Sequence, residues 1–445
     1  MGKCKKTTVA FFFDNGGRPD CDCRCLTDGN PGISGTAYMF YMMAWKLSAR
    51  DNDIDVVLYT TNAGLYPNEV TNVVVKDFSE AWNRCEENKI DFIVIKHSEV
   101  YLNQILERKE HSSVKFIVWC HNFVGRKELS LYAGCDAVER LITVGREQMD
   151  VYRDHKAFSK TDYIYNCVSV PDRYKVGSRP YSERESVVTY MGCVIQSKGF
   201  HLLAKAWPKI IKAVPDARLN VIGNGFLYSG GDKNKKNAGE FGLADKKYES
   251  LFAKYITDDA GNLLPSVSLL GILGNEKYDI LGQTKIGVPN PSGRTETFCI
   301  SAVEMQMLGA KIVSKRCAGY LDTVKSGVLV KDSDELADAI IKELRCNHIE
   351  NGIREYMEET FSPDVIVAEW EQLLTYCIPN GMKLHPESEL VNPHFELKRY
   401  KESLRMLKNR HPILFKIVPA MDTFIDFWKT VRFFFWKKKV RFLGF

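Results

Sequence analysis

Short β-rich runs alternate with helical stretches along most of this chain, and the rhythm is interrupted once. Strand candidates are Thr8–Phe13, Val56–Thr60, Val73–Val75, Phe92–Ile95, Phe116–Trp119, Leu141–Val144 and Tyr163–Tyr165, with helical candidates such as Gly35–Ala49 and Asp77–Glu87 between them. Alternation of this kind predicts a parallel sheet, because each crossover helix must cover a sheet face. Residues 170–186 are polar and hold Pro171 and Pro180, a composition that suits a linker. The rhythm then restarts with strands at Val187–Met191, Leu219–Ile222, Val267–Leu270, Lys285–Val288 and Lys311–Ser314. Helices are predicted at Phe200–Val214, Thr297–Leu308 and Asp334–Leu344, and the Gly-, Asn- and Lys-rich stretch 226–247 reads as a surface loop. The expectation is α/β: two doubly wound domains facing a central cleft, 1–180 and 181–362, with ligands beyond the strand C-termini. A helix at 363–378 and a basic helical extension at 379–445 complete the division.

A chain of 445 residues is too long for one typical core, which agrees with two domains. With 45% hydrophobic and 26% charged residues, it reads as globular and not disordered. The net charge of +5 is unevenly placed. Residues 391–445 carry 13 Lys and Arg against 4 Asp and Glu, so the remainder sums to −4. A basic tail on a mildly acidic body points to a polyanionic surface met by residues 394–445 alone. Thirteen scattered cysteines, an odd number, favour reduced thiols in the cytosol. The apolar run Val9–Phe13 is too short for a signal-peptide core, and Lys6 stands where a myristoylation signal wants Ser or Thr. No apolar run of about 18 residues exists, so no membrane span is predicted.

Two helical stretches are predicted in the tail, at 394–410 and 422–441. In the second, Phe424, Phe427, Trp428, Val431, Phe434 and Phe435 recur at helical spacing beside Lys429, Arg432, Lys437, Lys438, Lys439 and Arg441. Such a face can pack on the protein; the local charge surplus favours an anionic membrane surface. A continuous aromatic face and no recognisable nucleic-acid fold argue against nucleic acid.

The strongest chemical feature is Val288-Pro289-Asn290-Pro291-Ser292-Gly293-Arg294-Thr295-Glu296-Thr297-Phe298, followed by Glu304 and Gly309. A strand, a Pro/Gly/Ser loop and a helix ending at Gly309 follow one another. Glu296 sits at the loop–helix junction and Glu304 two turns in, roughly 12 Å apart along the helix axis. That is about the reach from the sugar of a nucleotide-sugar to its ribose. The helix N-terminus offers free amides to a diphosphate between them. Two glutamates at this spacing are also common on exposed helices, so the neighbouring pattern matters. A second block, Tyr190-Met191-Gly192-Cys193-Val194-Ile195-Gln196-Ser197-Lys198-Gly199, sets Lys198 in a loop after a strand, where a cation can neutralise a leaving diphosphate. Val221-Ile222-Gly223-Asn224-Gly225 is a further strand and glycine turn. Asn30-Pro31-Gly32-Ile33-Ser34-Gly35 precedes a long helix, and Gly32 lets backbone amides approach a ligand. His121-Asn122 follows the strand Phe116–Trp119 and points into the cleft.

These blocks resemble the family 4 retaining glycosyltransferases, which have the GT-B fold of two Rossmann-like domains. The match runs through Glu296…Glu304, Pro291-Ser292, Gly309, Ala318-Gly319-Tyr320-Leu321-Asp322-Thr323-Val324 and Gly327-Val328-Leu329-Val330, and spans about residues 8–377. The resemblance implies that Glu296 faces the donor sugar, Glu304 binds the ribose hydroxyls, and Lys198 meets the leaving phosphates. Thr297 and Phe298 would contribute at the donor loop. It places His121 near a sugar hydroxyl, makes Asn166 a structural end to the first domain, and makes the helix Pro363–Cys377, with Trp370, cross back towards that domain. One position departs from the pattern: Cys193 stands where the family has an Arg, and Arg294 is the candidate substitute.

The implied chemistry is front-face substitution with retention, in which the leaving phosphate takes the acceptor proton. No metal or cofactor is required, since the nucleotide-sugar is a substrate. The Asp51-Asn52-Asp53 stretch reads as a polar turn, and Cys21, Cys23 and Cys25 as a loop of free thiols. The expected protein is cytoplasmic and peripheral at the inner face of a membrane, and it uses a nucleoside-diphosphate sugar and a glycan or lipid-linked acceptor. A non-catalytic sugar-nucleotide-binding subunit of a glycan-assembly system and a sugar-nucleotide epimerase on the same fold are the alternatives.

Overall fold

A computed structural model describes residues 6–16, 22–51, 53–108, 112–226, 237–385, 396–421, 423–424 and 428. Among them are two wholly parallel sheets, α/β in class. The first sheet contains β1 (Thr7–Phe13), β2 (Ile54–Thr60), β3 (Asn72–Val74), β4 (Phe92–Lys96), β5 (Lys115–Cys120), β6 (Val138–Thr143) and β7 (Thr161–Tyr163). Its order is β3-β2-β1-β4-β5-β6-β7. The second contains β8 (Val187–Met191), β9 (Arg218–Ile222), β10 (Val267–Gly271), β11 (Ile286–Gly287), β12 (Lys311–Lys315) and β13 (Gly327–Val330), in the order β10-β9-β8-β11-β12-β13. Each order reverses once, at β1/β4 and at β8/β11. A crevice opens at such a reversal, because neighbouring crossovers leave on opposite faces.

The central strands are apolar on both faces, as a sheet covered by helices on each side requires. Val9 to Phe12 of β1 are buried, with Phe11 towards one helix layer and Phe12 towards the other. The helix Pro363–Gln372 returns to the first domain. Its Trp370 is buried edge-on against Phe11 and Trp119, with ring centroids 6.0 and 4.9 Å away. Lys46 pairs with Asp364 at the start of this helix.

Three local expectations differ from the structure. The stretch 170–186 is no free linker. It contains a short helix, Asp172–Gly177, and buries Arg184, whose guanidinium donates to the carbonyls of Arg179, Thr284 and Leu308. The stretch 226–247 is described at 226 and from 237 onward, and there the surface loop is anchored. Buried Glu249 accepts from the backbone N–H of Phe241, Leu243 and Ala244, and Leu243 is itself buried. The predicted helix Thr297–Leu308 begins only at Ile300. Thr295 and Cys299 have φ of 55° and 75°, and the Thr297 hydroxyl donates to the carbonyl of His121 in the other domain. Those contacts hold 295–299 out of helical geometry, so Glu296 lies in a loop and not on the helix that carries Glu304.

The C-terminal helix Glu396–Arg410 lies on the first domain. Of the second aromatic stretch, 422–441, only 423, 424 and 428 are among the described residues. No described helix is long and apolar enough to cross a membrane.

Candidate functional site

The loops after β1, β5, β8 and β11 meet in a cavity of about 250 Å³ between the two domains. Those four strands flank or neighbour the two reversals of strand order. Two glycines set the shape of the walls. Gly32 has φ +92°, and a Cβ there would press on Ile272 across the cleft at 3.3 Å. Gly223 has φ +114°, and its Cβ would overlap the carbonyl oxygen of Gly192 at 2.1 Å. Both positions require the left-handed backbone and the close approach that only glycine allows cheaply.

Two lysine–glutamate pairs line the cavity. Lys198 Nζ lies 2.7 Å from Glu296 Oε2, and Asn290 Nδ2 donates to the same oxygen at 2.9 Å. Asn290 is itself held close, because its Oδ1 and the carbonyl of Ser197 share the single hydroxyl proton of Ser292. Gly199 makes that contact possible, since a Cβ there would meet Ser292 Cβ at 2.6 Å. The loops after β8 and β11 are thereby stitched together, and Lys198 and Glu296 with them.

Deeper in the cleft, Lys277 Nζ lies 2.8 Å from Glu304 Oε1. Tyr278 donates its hydroxyl to the same oxygen at 3.0 Å. Burial and the Glu304 charge beside it hold the Tyr278 hydroxyl well above its ordinary pKa, so it stays a donor. Lys277 also donates to the carbonyl of Asn30 at 3.4 Å, tying the second domain to the loop that carries Gly32.

The first domain contributes uncharged groups. His121 lies against Trp119 and Phe40, and burial, aided by the Lys96 charge, lowers its pKa to about 3, so the ring is neutral. Its Nε2 is buried without a hydrogen-bond partner, as is Oδ1 of Asn166, and both residues line the cavity. Buried polar atoms are normally paired. Two such orphans, His121 Nε2 and Asn166 Oδ1, belong to residues on the wall of one cavity.

Of the residues singled out in the sequence, Gly32, His121, Lys198, Glu296, Thr297, Phe298 and Glu304 all line this cavity. Thr297 acts through its inter-domain bond to the His121 carbonyl. Phe298 is buried against Tyr165 and Phe361. Arg294 is not among the lining residues. It is exposed, on the His201 side of the loop, where its charge helps lower the His201 pKa. Cys193 itself is buried in the cavity wall. Sequence reasoning missed Lys277, Tyr278 and the bracing role of Asn290, and it gave Asn166 a purely structural part. Nothing local marks Lys277: it sits at the start of a five-residue helix, Lys277–Leu281, in an unremarkable polar context. Among the described residues, no three His, Cys, Asp or Glu side chains cluster as metal ligands.

Residues 185–345 match the family model described as Glycosyl transferases group 1. Among solved structures, AviGT4, a glycosyltransferase involved in avilamycin A biosynthesis, aligns with a TM-score of 0.54 at 14% identity, over 84% of this chain and 98% of its own. An alpha-glucosyltransferase in complex with UDP and a 13-mer DNA containing a central A:G mismatch aligns with a TM-score of 0.50 at 12% identity, over 84% of this chain and all of its own (100%). No curated protein sequence matches the chain. The second domain is thus similar to the group 1 glycosyl transferase model, and the chain has the GT-B fold.

Proposed function

We propose that this protein moves a sugar from a nucleoside-diphosphate sugar to a hydroxyl of a glycan or lipid-linked acceptor, with retention of anomeric configuration and without a metal. The observation that carries this reading is the convergence of Lys198–Glu296 and Lys277–Glu304 on one inter-domain cavity. The two lysines and two glutamates balance in charge. An entering diphosphate therefore adds negative charge, and Lys198 is the cation that can turn from Glu296 towards it. In a water-poor cleft that interaction is strongest as charge builds on the leaving group.

Glu304 has one oxygen held by Lys277 and Tyr278, which leaves the other to accept from ribose hydroxyls. Neutral His121 and Asn166 serve the sugar's own hydroxyls. In the step proposed, the bond from the anomeric carbon to the diphosphate breaks while the acceptor oxygen bonds the same face. The acceptor proton passes to the departing phosphate oxygen, so no protein base is used. Glu296 steadies positive charge on the ring.

Cys193 motivates a second reading, a subunit that binds the donor without transferring it. Lys277 is a further cation in the cleft, but it is engaged with Glu304.

A thermal-shift screen against nucleoside diphosphates and their sugars, followed by turnover with the best donor, tests the proposal. Saturating donor at about a hundred times its Kd should stabilise the fold by about 2.7 kcal/mol. Glu304→Ala should weaken binding by about tenfold or more, the loss of a hydrogen bond to a charged group. An unchanged shift in that variant sinks the ribose role. Folded protein that neither binds nor turns over any donor sinks the transferase reading, and binding without turnover selects the second one. Conversion of the donor alone, with no acceptor, would reveal an epimerase.

A further inference from the structure

The helix Glu396–Arg410 is docked inside out. Lys398, Lys401, Arg405 and Lys408 recur at helical spacing and are only 7%, 3%, 9% and 1% exposed. Leu397, Tyr400 and Leu407 run in a parallel stripe one residue earlier, and they are 39%, 61% and 47% exposed. A helix on a globular surface normally does the reverse.

The cause is an acidic, carbonyl-rich strip on the first domain. Lys398 pairs with Glu147 and Asp150, Lys401 donates to the carbonyl of Val151, and Lys408 donates to that of Asp154. Arg153 bridges Asp150 and Glu402. Four of the tail's cations are thus turned inward, and the polyanion contact expected from the tail's charge has to use other residues.

Those residues are on the outer side. Beyond the helix end, Ile413, Ile417 and Phe424 are likewise 64%, 66% and 48% exposed. Arg399, Arg410 and Lys416 are exposed among them. Glu402 is the sole carboxylate in 397–421, and it is bound to Arg153 and Arg405. At the foot of the stripe, Lys156 and Arg126 of the body line a cavity with Phe415 and Val418. The face is therefore apolar and cationic, with no exposed anion in this segment.

We propose that this face, formed by Leu397, Tyr400, Leu407, Ile413 and Ile417 with Arg399, Arg410 and Lys416, docks on a membrane of anionic phospholipids. Apolar side chains enter the headgroup boundary while the cations meet lipid phosphates. A second copy of the chain fits poorly, because a twofold contact would set these cations against themselves. The buried lysines fix the helix pose, so the membrane plane lies beside the first domain. The proposal stands apart from the donor chemistry.

The test is co-sedimentation of the full chain with phosphatidylcholine vesicles, with and without phosphatidylglycerol. The protein should bind the anionic vesicles at least tenfold more tightly, and salt should weaken that binding. Ile413→Glu/Ile417→Glu should reduce it at least tenfold, and Arg399→Gln/Lys416→Gln roughly thirtyfold, since each of the two cations near an anionic surface contributes about 1 kcal/mol. Both changes are at exposed positions, so melting temperature and nucleotide-induced shift should stay those of the parent. Equal binding to both kinds of vesicle, or undiminished binding by both variants, overturns the proposal. So does a soluble dimer of the parent that the Ile413→Glu/Ile417→Glu variant dissolves.

Discussion

In the cleft, Lys198 meets Glu296 at 2.7 Å and Lys277 meets Glu304 at 2.8 Å. Under the C-terminal helix, Lys398 meets Asp150 at 2.9 Å, also out of water. The pair chemistry is the same, yet the surroundings differ. The cleft pairs border open volume, which Lys198, Glu296, Lys277 and Glu304 all line. The tail pairs are closed over by the helix that supplies the lysines. A buried ion pair is therefore no sign of function in itself. What separates a site from a clamp is whether a ligand can reach the pair and exchange with one partner.

Asp322 joins the two regions. From the second domain its carboxylate accepts from the Glu147 N–H at 2.9 Å and from the Tyr165 hydroxyl at 3.2 Å, and Glu147 is the residue whose side chain takes Lys398. It stands in the same segment as Gly319, whose N–H donates to the Glu296 carbonyl at 3.1 Å. The clamp under the tail and the donor loop thus share one connection through the inter-domain contact.

The comparison breaks most visibly at Lys398. Lys398→Ala leaves Glu147 and Asp150 without that cation, and removing one partner of a buried pair costs about 3–5 kcal/mol. Denaturant unfolding should register that loss while nucleotide binding persists. A change below about 0.5 kcal/mol, the scale of an ordinary surface substitution, would show that the clamp is not structural.

At Lys198 the opposite pattern is expected. Lys198→Ala should lower kcat by about 10²–10³-fold, the range for removing one donor to a developing charge. The fold should survive, because Asn290 still donates to Glu296. Full turnover in this variant would remove Lys198 from the chemistry.

The smallest effect concerns pH. Burial raises the Asp322 carboxyl from 3.8 to about 7. Between those values the folded protein keeps a proton that the unfolded chain has released, so stability falls as pH rises through that window. Asp322→Asn has no such proton. The parent should lose about 2–3 kcal/mol relative to this variant between about pH 5 and 8. Parallel stability profiles for the two proteins would contradict the assignment.

Much of the fold can be read along the chain. The strands β1, β5, β8 and β9 fall within a residue or two of their apolar runs, because a covered parallel strand must be apolar on both faces. The loops carrying Gly32, Lys198 and Glu296 are legible for a related reason. Glycine and proline mark turns by their backbone limits, and a turn after a parallel strand opens at the cleft. The helix start at Ile300 was not legible. Apolar periodicity extends back to Thr297, but bonds from Thr297 to the His121 carbonyl of the other domain, from Gly319 to the Glu296 carbonyl and from Thr323 to the Phe298 carbonyl hold that turn out of the helix.

Local pattern alone determined two α/β domains, the order of their elements and the loops that approach one another, since periodicity and turn chemistry act over a few residues. Which charges pair was decided in three dimensions. Lys277 finds Glu304, 27 residues on, and Lys398 finds Glu147, 251 residues back, because the fold brings them together in space. The same rule turned the tail's lysines inward and its apolar stripe outward: a helix docks on the face whose partners are in reach, and those partners lie far away in sequence.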